Sequence, residues 1–247
     1  MTDEELYTLI VNDPKASKYV DDMKLNLLYK YIRYYKQDSG EVTMSQLVTF
    51  LQQADIDPFP DRVVPNELFK DDANMKQFDF SNIDEVGEMA FYQSGLMNAN
   101  LASVKKVGAG AFYNTQITEL KLNGVESIGS YAFFGNKKLE ELYIPDMCYS
   151  IGEGAFSGCT NLNTVAIDFS TTDKQRAINN DIFKGCKRLE EFYMHEGQII
   201  YFNGLVNTIM NNNGTIYIIK DGMGTDIKSR FIDMYGTYPE NNISIID

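Results

Sequence analysis

Among 247 residues there is one histidine, His195, and three cysteines, Cys148, Cys159 and Cys186. A nucleophilic dyad or triad needs its histidine beside a nucleophile, and a zinc centre with two histidines is excluded by count. His195 follows the alternating stretch Phe192-Tyr-Met194 and reads as a residue on the surface of a sheet rather than as a catalyst. Cys159 and Cys186 occupy the same place in two related segments, Gly-Cys-Thr-Asn-Leu162 and Gly-Cys-Lys-Arg-Leu189, and read as buried thiols. Gly108-Ala-Gly110 and Gly152-Glu-Gly154 lack the further glycine or the Gly-Lys-Ser/Thr context of a phosphate loop. Gly222-Met-Gly224 reads as a turn, and Asp55-Ile-Asp57 and Asp71-Asp72 do not have calcium-loop spacing. The sequence therefore predicts no catalytic residue, no metal site and no cofactor.

A formal charge of −13 and a pI near 4.5 argue against nucleic acid as a partner, because phosphate contacts require clustered lysine and arginine. Lys24, Lys30, Arg33 and Lys36 do cluster among Tyr29, Tyr31, Tyr34 and Tyr35. Their spacing fits the solvated face of an amphipathic helix, whose tyrosines could also dock another protein. No stretch reaches the apolar length needed to span a bilayer, so no membrane insertion is expected. The opening residues show no basic region followed by an apolar run and a small-residue cleavage site. The expected location is accordingly the cytoplasm or a virion, with the cell surface a third setting.

The elements that would hold these side chains follow from a repeat. Val86-Gly-Glu-Met-Ala-Phe91, Val107-Gly-Ala-Gly-Ala-Phe112, Ile128-Gly-Ser-Tyr-Ala-Phe133 and Ile151-Gly-Glu-Gly-Ala-Phe156 recur, with a degenerate Ile178-Asn-Asn-Asp-Ile-Phe183. The period is 21, 21, 23 and then 27 residues. Repetition at that interval marks a solenoid, in which each turn buries its apolar face against its neighbours. Between the Phe blocks a second pattern recurs, as at Leu139, Leu142, Ile144 and at Leu162, Val165, Ile167, whose alternation is that of a strand. These strands are expected to stack into one parallel sheet, with the Phe residues stacked behind it. Glycine in each block is expected to let the chain turn away from the strand side.

Ahead of the repeats, Thr2 with Glu5 and Thr43 with Gln46 form capping boxes. Leu25, Leu28, Ile32 and Tyr35 fall on one helical face. The expected organisation is a helical module over 1–62, a linker over 63–74, and a solenoid over 75–247 capped from about 214 by a strand, a helix and a strand. Asp168 to Asn180 lengthens one turn and is the expected variable contact loop.

The unit from Leu139 to Cys159, with Pro145, Gly152, Ala155 and Phe156, resembles the BspA-like leucine-rich repeat. The resemblance covers about residues 75–247. It implies an α/β leucine-rich repeat solenoid with a parallel sheet and a non-enzymatic binding role; proteins with this repeat usually reach the cell surface.

Strand alternation then selects the residues that point outward: Asp79, Asn100, Lys121, Tyr143, Ala166, Tyr193 and Tyr217, flanked by a column that includes Glu119, Glu141 and Glu191. Lys121, Glu141, Tyr143, Glu191, Tyr193, His195 and Tyr217 are the expected partner-binding residues, since tyrosine is enriched at interfaces and a carboxylate flank repels acidic partners. The same residues would also serve as ordinary solvated strand positions. Together these readings predict an interaction scaffold for a protein of unspecified identity. The alternatives are a structural component of a multi-protein assembly such as a virus or phage particle, anchored by the N-terminal helices, and a cell-surface adhesin.

Overall fold

A computed structural model describes residues 59, 62–169, 176–179, 181–195, 212, 214–219 and 243–246. The predicted helices of the N-terminal module and of the C-terminal cap lie outside these residues. The described strands are β1 (Val63–Val64), β2 (Glu85–Val86), β3 (Asn98–Asn100), β4 (Lys106–Val107), β5 (Glu119–Lys121), β6 (Ser127–Ile128) and β7 (Glu141–Ile144). They continue as β8 (Ser150–Ile151), β9 (Thr164–Ile167), β10 (Ala177–Ile178), β11 (Glu191–His195), β12 (Thr215–Ile219) and β13 (Ile243–Ile246). All described pairings are parallel and join one solenoid turn to the next.

Among the described residues the expectation of one sheet is corrected to three. The residues that open each Phe block pair with one another in a six-stranded ladder, β1-β2-β4-β6-β8-β10. The longer strands form the opposite face in two pieces, β3-β5 and β7-β9-β11-β12-β13. A two-residue strand shows no alternation, which is why the first ladder is hard to see in the sequence. The predicted linker is also corrected. Val64 begins another block, Val64-Pro-Asn-Glu-Leu-Phe69; β1 pairs with β2, and Phe69 stacks on Phe91 at 5.0 Å. Residues 62–74 thus belong to the solenoid, and the proline at position 65 in place of glycine hid the match.

Between the two faces runs a column of phenylalanines. Ring centroids are 5.3 Å apart for Phe91 and Phe112, 5.1 Å for Phe112 and Phe133, 5.2 Å for Phe133 and Phe156, and 5.7 Å for Phe156 and Phe183. The preceding alanines are fully buried, and the larger Leu68 and Ile182 are buried in the same place at the two ends of the column. Outside this column Tyr92, Tyr113 and Phe134 stack in turn at 4.7 Å.

Three residues after Phe112, Phe133, Phe156 and Phe183, and again at Asn212, a polar side chain satisfies backbone carbonyls that face the core, whereas Ser94, three residues after Phe91, has a buried hydroxyl with no hydrogen-bond partner. Asn136 Nδ2 donates to the Phe112 and Phe133 carbonyls at 2.8 and 2.9 Å, and Asn212 donates to those of Cys186 and Leu189. The Cys159 and Cys186 thiols do the same toward Phe133 and Phe156 at 3.3 and 3.2 Å. Both are buried and free, so the predicted thiols form part of the hydrogen-bonding of the core.

The glycine of each block has a different role from the one expected. A Cβ on Gly129 would stand 2.5 Å from the Ala109 nitrogen, and one on Gly152 would stand 2.4 Å from the Ser130 nitrogen. Neither has a left-handed backbone; glycine is required because adjacent turns approach too closely for any side chain.

Candidate functional site

Strand register assembles the outward side chains. Glu141, Thr164, Glu191 and Thr215 are aligned, as are Tyr143, Ala166, Tyr193 and Tyr217. Tyr193 and Tyr217 stack with centroids 4.5 Å apart and planes 9° apart. The Thr164 hydroxyl donates to Glu191 Oε2 at 3.4 Å. Six predicted residues, Glu141, Tyr143, Glu191, Tyr193, His195 and Tyr217, therefore lie on one continuous sheet.

Asp168 completes this arrangement and was not among the predicted site residues. Tyr143 donates its phenolic hydrogen to Asp168 Oδ2 at 2.9 Å, and His195 Nε2 lies 3.4 Å from Asp168 Oδ1. The carboxylate links β7 and β11, the strands on either side of β9. Continuing the alternation from Ala166 by two residues would have found it; the sequence reading assigned it instead to the inserted loop. Tyr143 remains 43% exposed, yet partial burial and the Asp168 carboxylate push its hydroxyl up to about 12. At neutral pH it is a hydrogen-bond donor. Burial and then the nearby Glu191 charge also raise Tyr193.

Lys121 stands apart from the others, on β5, beyond the interruption in the face. A cavity of about 370 Å³ opens there, lined by residues that include Glu119, Leu120, Lys121, Glu141, Leu142 and Tyr143. Leu120 is only partly buried, whereas its counterparts Ala99, Leu142 and Val165 are 1%, 3% and 0% exposed. Thr118, Glu119 and Leu120 were not predicted as site residues.

The predicted contact loop is described only at its ends. Phe169 is buried, and the Arg176 guanidinium packs over its ring at 4.0 Å. Arg176 also bonds Asp146 Oδ1 at 2.5 Å and the Asp146 and Cys148 carbonyls at 2.9 and 3.1 Å, with its side chain 2% exposed. Arg176 is thus pinned to the turn after β7, whereas Asp168, at the other end of the segment, joins the sheet face. Among the described residues no group of three or more His, Cys, Asp or Glu side chains is arranged to hold a metal ion.

A family model described as BspA type leucine rich repeat region matches residues 62–190 in six copies. The chain belongs to this family. Leucine-rich repeat domains of this kind generally mediate protein–protein contacts, and the family is generally non-enzymatic. No curated protein matches the sequence. Similar solved structures include the pneumococcal vaccine antigen PcpA, 16% identical over 76% of this chain and 44% of its own, with a TM-score of 0.45. A leucine rich cell surface protein from Faecalibacterium prausnitzii A2-165 is 18% identical over 64% and 55% of the two chains, with a TM-score of 0.32. A leucine-rich repeat protein from Bacteroides ovatus ATCC 8483 is 13% identical over 68% and 56%, with a TM-score of 0.35. The chain spans about half the length of these three.

Proposed function

We propose that the chain is a non-enzymatic interaction protein that binds a protein partner through the strand face centred on Tyr143, Tyr193 and Tyr217. The observation that carries this reading is the prior ordering of that face. Tyr143 is held by Asp168, Asp168 by His195, and Tyr193 by its stack on Tyr217. Side chains already fixed in one rotamer lose little entropy when a partner arrives, a loss of roughly 0.5–1.5 kcal/mol per freely rotating side chain. Tyrosine also offers a large apolar area with a polar tip, the combination enriched at interface hot spots.

The test is selection of a random-peptide display library on the full chain. Recovered peptides should lose binding to a Tyr143→Ala/Tyr193→Ala double variant whose circular dichroism and melting curve match the parent. Peptides that bind the variant equally well would remove the site from this face.

A further inference from the structure

The strand face is interrupted between β5 and β7, and the interruption has its own chemistry. We propose that this cleft receives a lysine or arginine side chain from an extended basic segment of the partner protein. The inference rests on the strand face being the binding face.

Size limits the occupant first. At about 370 Å³ the cavity is near the lower end of ligand-sized pockets, enough for one long side chain and too small for a packed helix. Its wall supplies Leu120, Leu142 and the Tyr143 ring, and Leu120 is partly exposed for want of a neighbouring strand. An apolar wall favours a side chain with a long methylene stem.

Charge then selects its end. Glu119 and Glu141 hold the same position on β5 and β7, both are exposed, and neither has an ion pair among the described residues. A lysine or arginine lays its stem on apolar surface while its head remains with polar groups, here the two carboxylates. A purely aliphatic side chain would cover the carboxylates without replacing their water, and an acidic one would be repelled. Lys121 lies two residues beyond Glu119, level with Tyr143, so the cleft has one acidic end and one basic end. That polarity directs an incoming cation to the Glu119 and Glu141 end. The net charge of −13 attracts a basic segment over longer range.

The experiment uses the full chain and fluorescein-labelled nonapeptides of alternating serine and threonine, with arginine, lysine, norleucine or glutamate at the centre. Binding is read by fluorescence anisotropy. The arginine and lysine peptides should bind roughly tenfold more tightly than the other two, a preference that shrinks as salt is raised toward about 0.5 M. The exposed double variant Glu119→Gln/Glu141→Gln should fold normally and erase the preference, while Glu88→Gln, exposed in a Phe block away from the cleft, leaves it in place. Equal binding of the norleucine or glutamate peptide, or a preference surviving in the double variant, overturns the proposal. Failure of all four nonapeptides, or binding by a neutral oligosaccharide that competes in the cleft, does the same. In those cases library peptides that still depend on Tyr143 and Tyr193 would keep the face reading intact. Library peptides indifferent to both tyrosines would instead remove the face, and the cleft proposal with it.

Discussion

Replacing Phe133 by alanine tests the physical basis of the solenoid at its centre. The ring is fully buried and lies between Phe112 and Phe156, with interplanar angles of 4° and 3°. Truncating a buried phenylalanine costs about 3–5 kcal/mol through lost transfer free energy and the cavity left behind. The two ring contacts account for roughly 1–3 kcal/mol of this. The cavity cannot easily collapse, because Phe112 N bonds the Ala132 carbonyl at 2.7 Å, and Phe133 N and Phe156 N bond carbonyls of the next turn at 2.8 Å. The cost should therefore fall in the upper half of the range, about 4 kcal/mol. Urea unfolding followed by circular dichroism reads it as a lower midpoint. In a solenoid each turn is stabilised by its neighbours, so a weakened central turn should also reduce the slope as the two halves uncouple. Phe134→Ala is the control: the adjacent ring is only partly buried and stacks on Tyr113 in the outer column. Equal losses for the two variants, or a loss at Phe133 below about 1 kcal/mol, would refute the stacked-column account.

Gly129→Ala should destabilise the protein by about 1–3 kcal/mol, because the added carbon meets backbone atoms of Gly108 and Ala109 rather than a movable side chain; an unchanged melting temperature would contradict the close-approach explanation. Tyr143 should resist ionisation until about pH 12 in absorbance titration, and Asp168→Asn should bring it back toward 10. The folded state then holds a proton that the unfolded chain has released, so this residue's contribution to stability falls as pH rises from about 10 to 12. Melting temperatures of the parent should decline more steeply over that range than those of Tyr143→Phe. Parallel declines would show that the Asp168 bond does not hold in solution.

The sequence made the solenoid legible where a residue's role is repeated and chemically narrow. Phe133 recurs because each turn adds one ring to the column, and Leu142 and Ile144 recur because alternation puts both inside. It failed where the role was met by another residue type or depended on a neighbour in the next turn. Pro65 standing at the glycine position concealed the first turn. Asp168 looked like loop because its partners, Tyr143 and His195, lie 25 and 27 residues away and only register brings them together. The short ladder was invisible for a third reason: two residues are too few for a period.

The interruption of the face has a cause that can be counted in the chain. From each Phe to the central apolar residue of the next strand is nine residues for Phe69 to Phe78, then eight for Phe91 to Ala99 and for Phe112 to Leu120. It returns to nine for Phe133 to Leu142, Phe156 to Val165 and Phe183 to Phe192. Strands pair where this length is conserved, as in β3 with β5 and β7 with β9 and β11. Where it changes, no strand ladder forms: Phe78 lies in no strand, and β5 does not pair with β7. The Phe column and the Val/Ile ladder run unbroken past both steps, so one edge of each turn is held in line. The extra residue must then displace the strand on the other side. A single residue inserted between Asn136 and Leu139 thus leaves the core continuous and opens the face, placing the cleft where Glu119 and Glu141 can meet a partner.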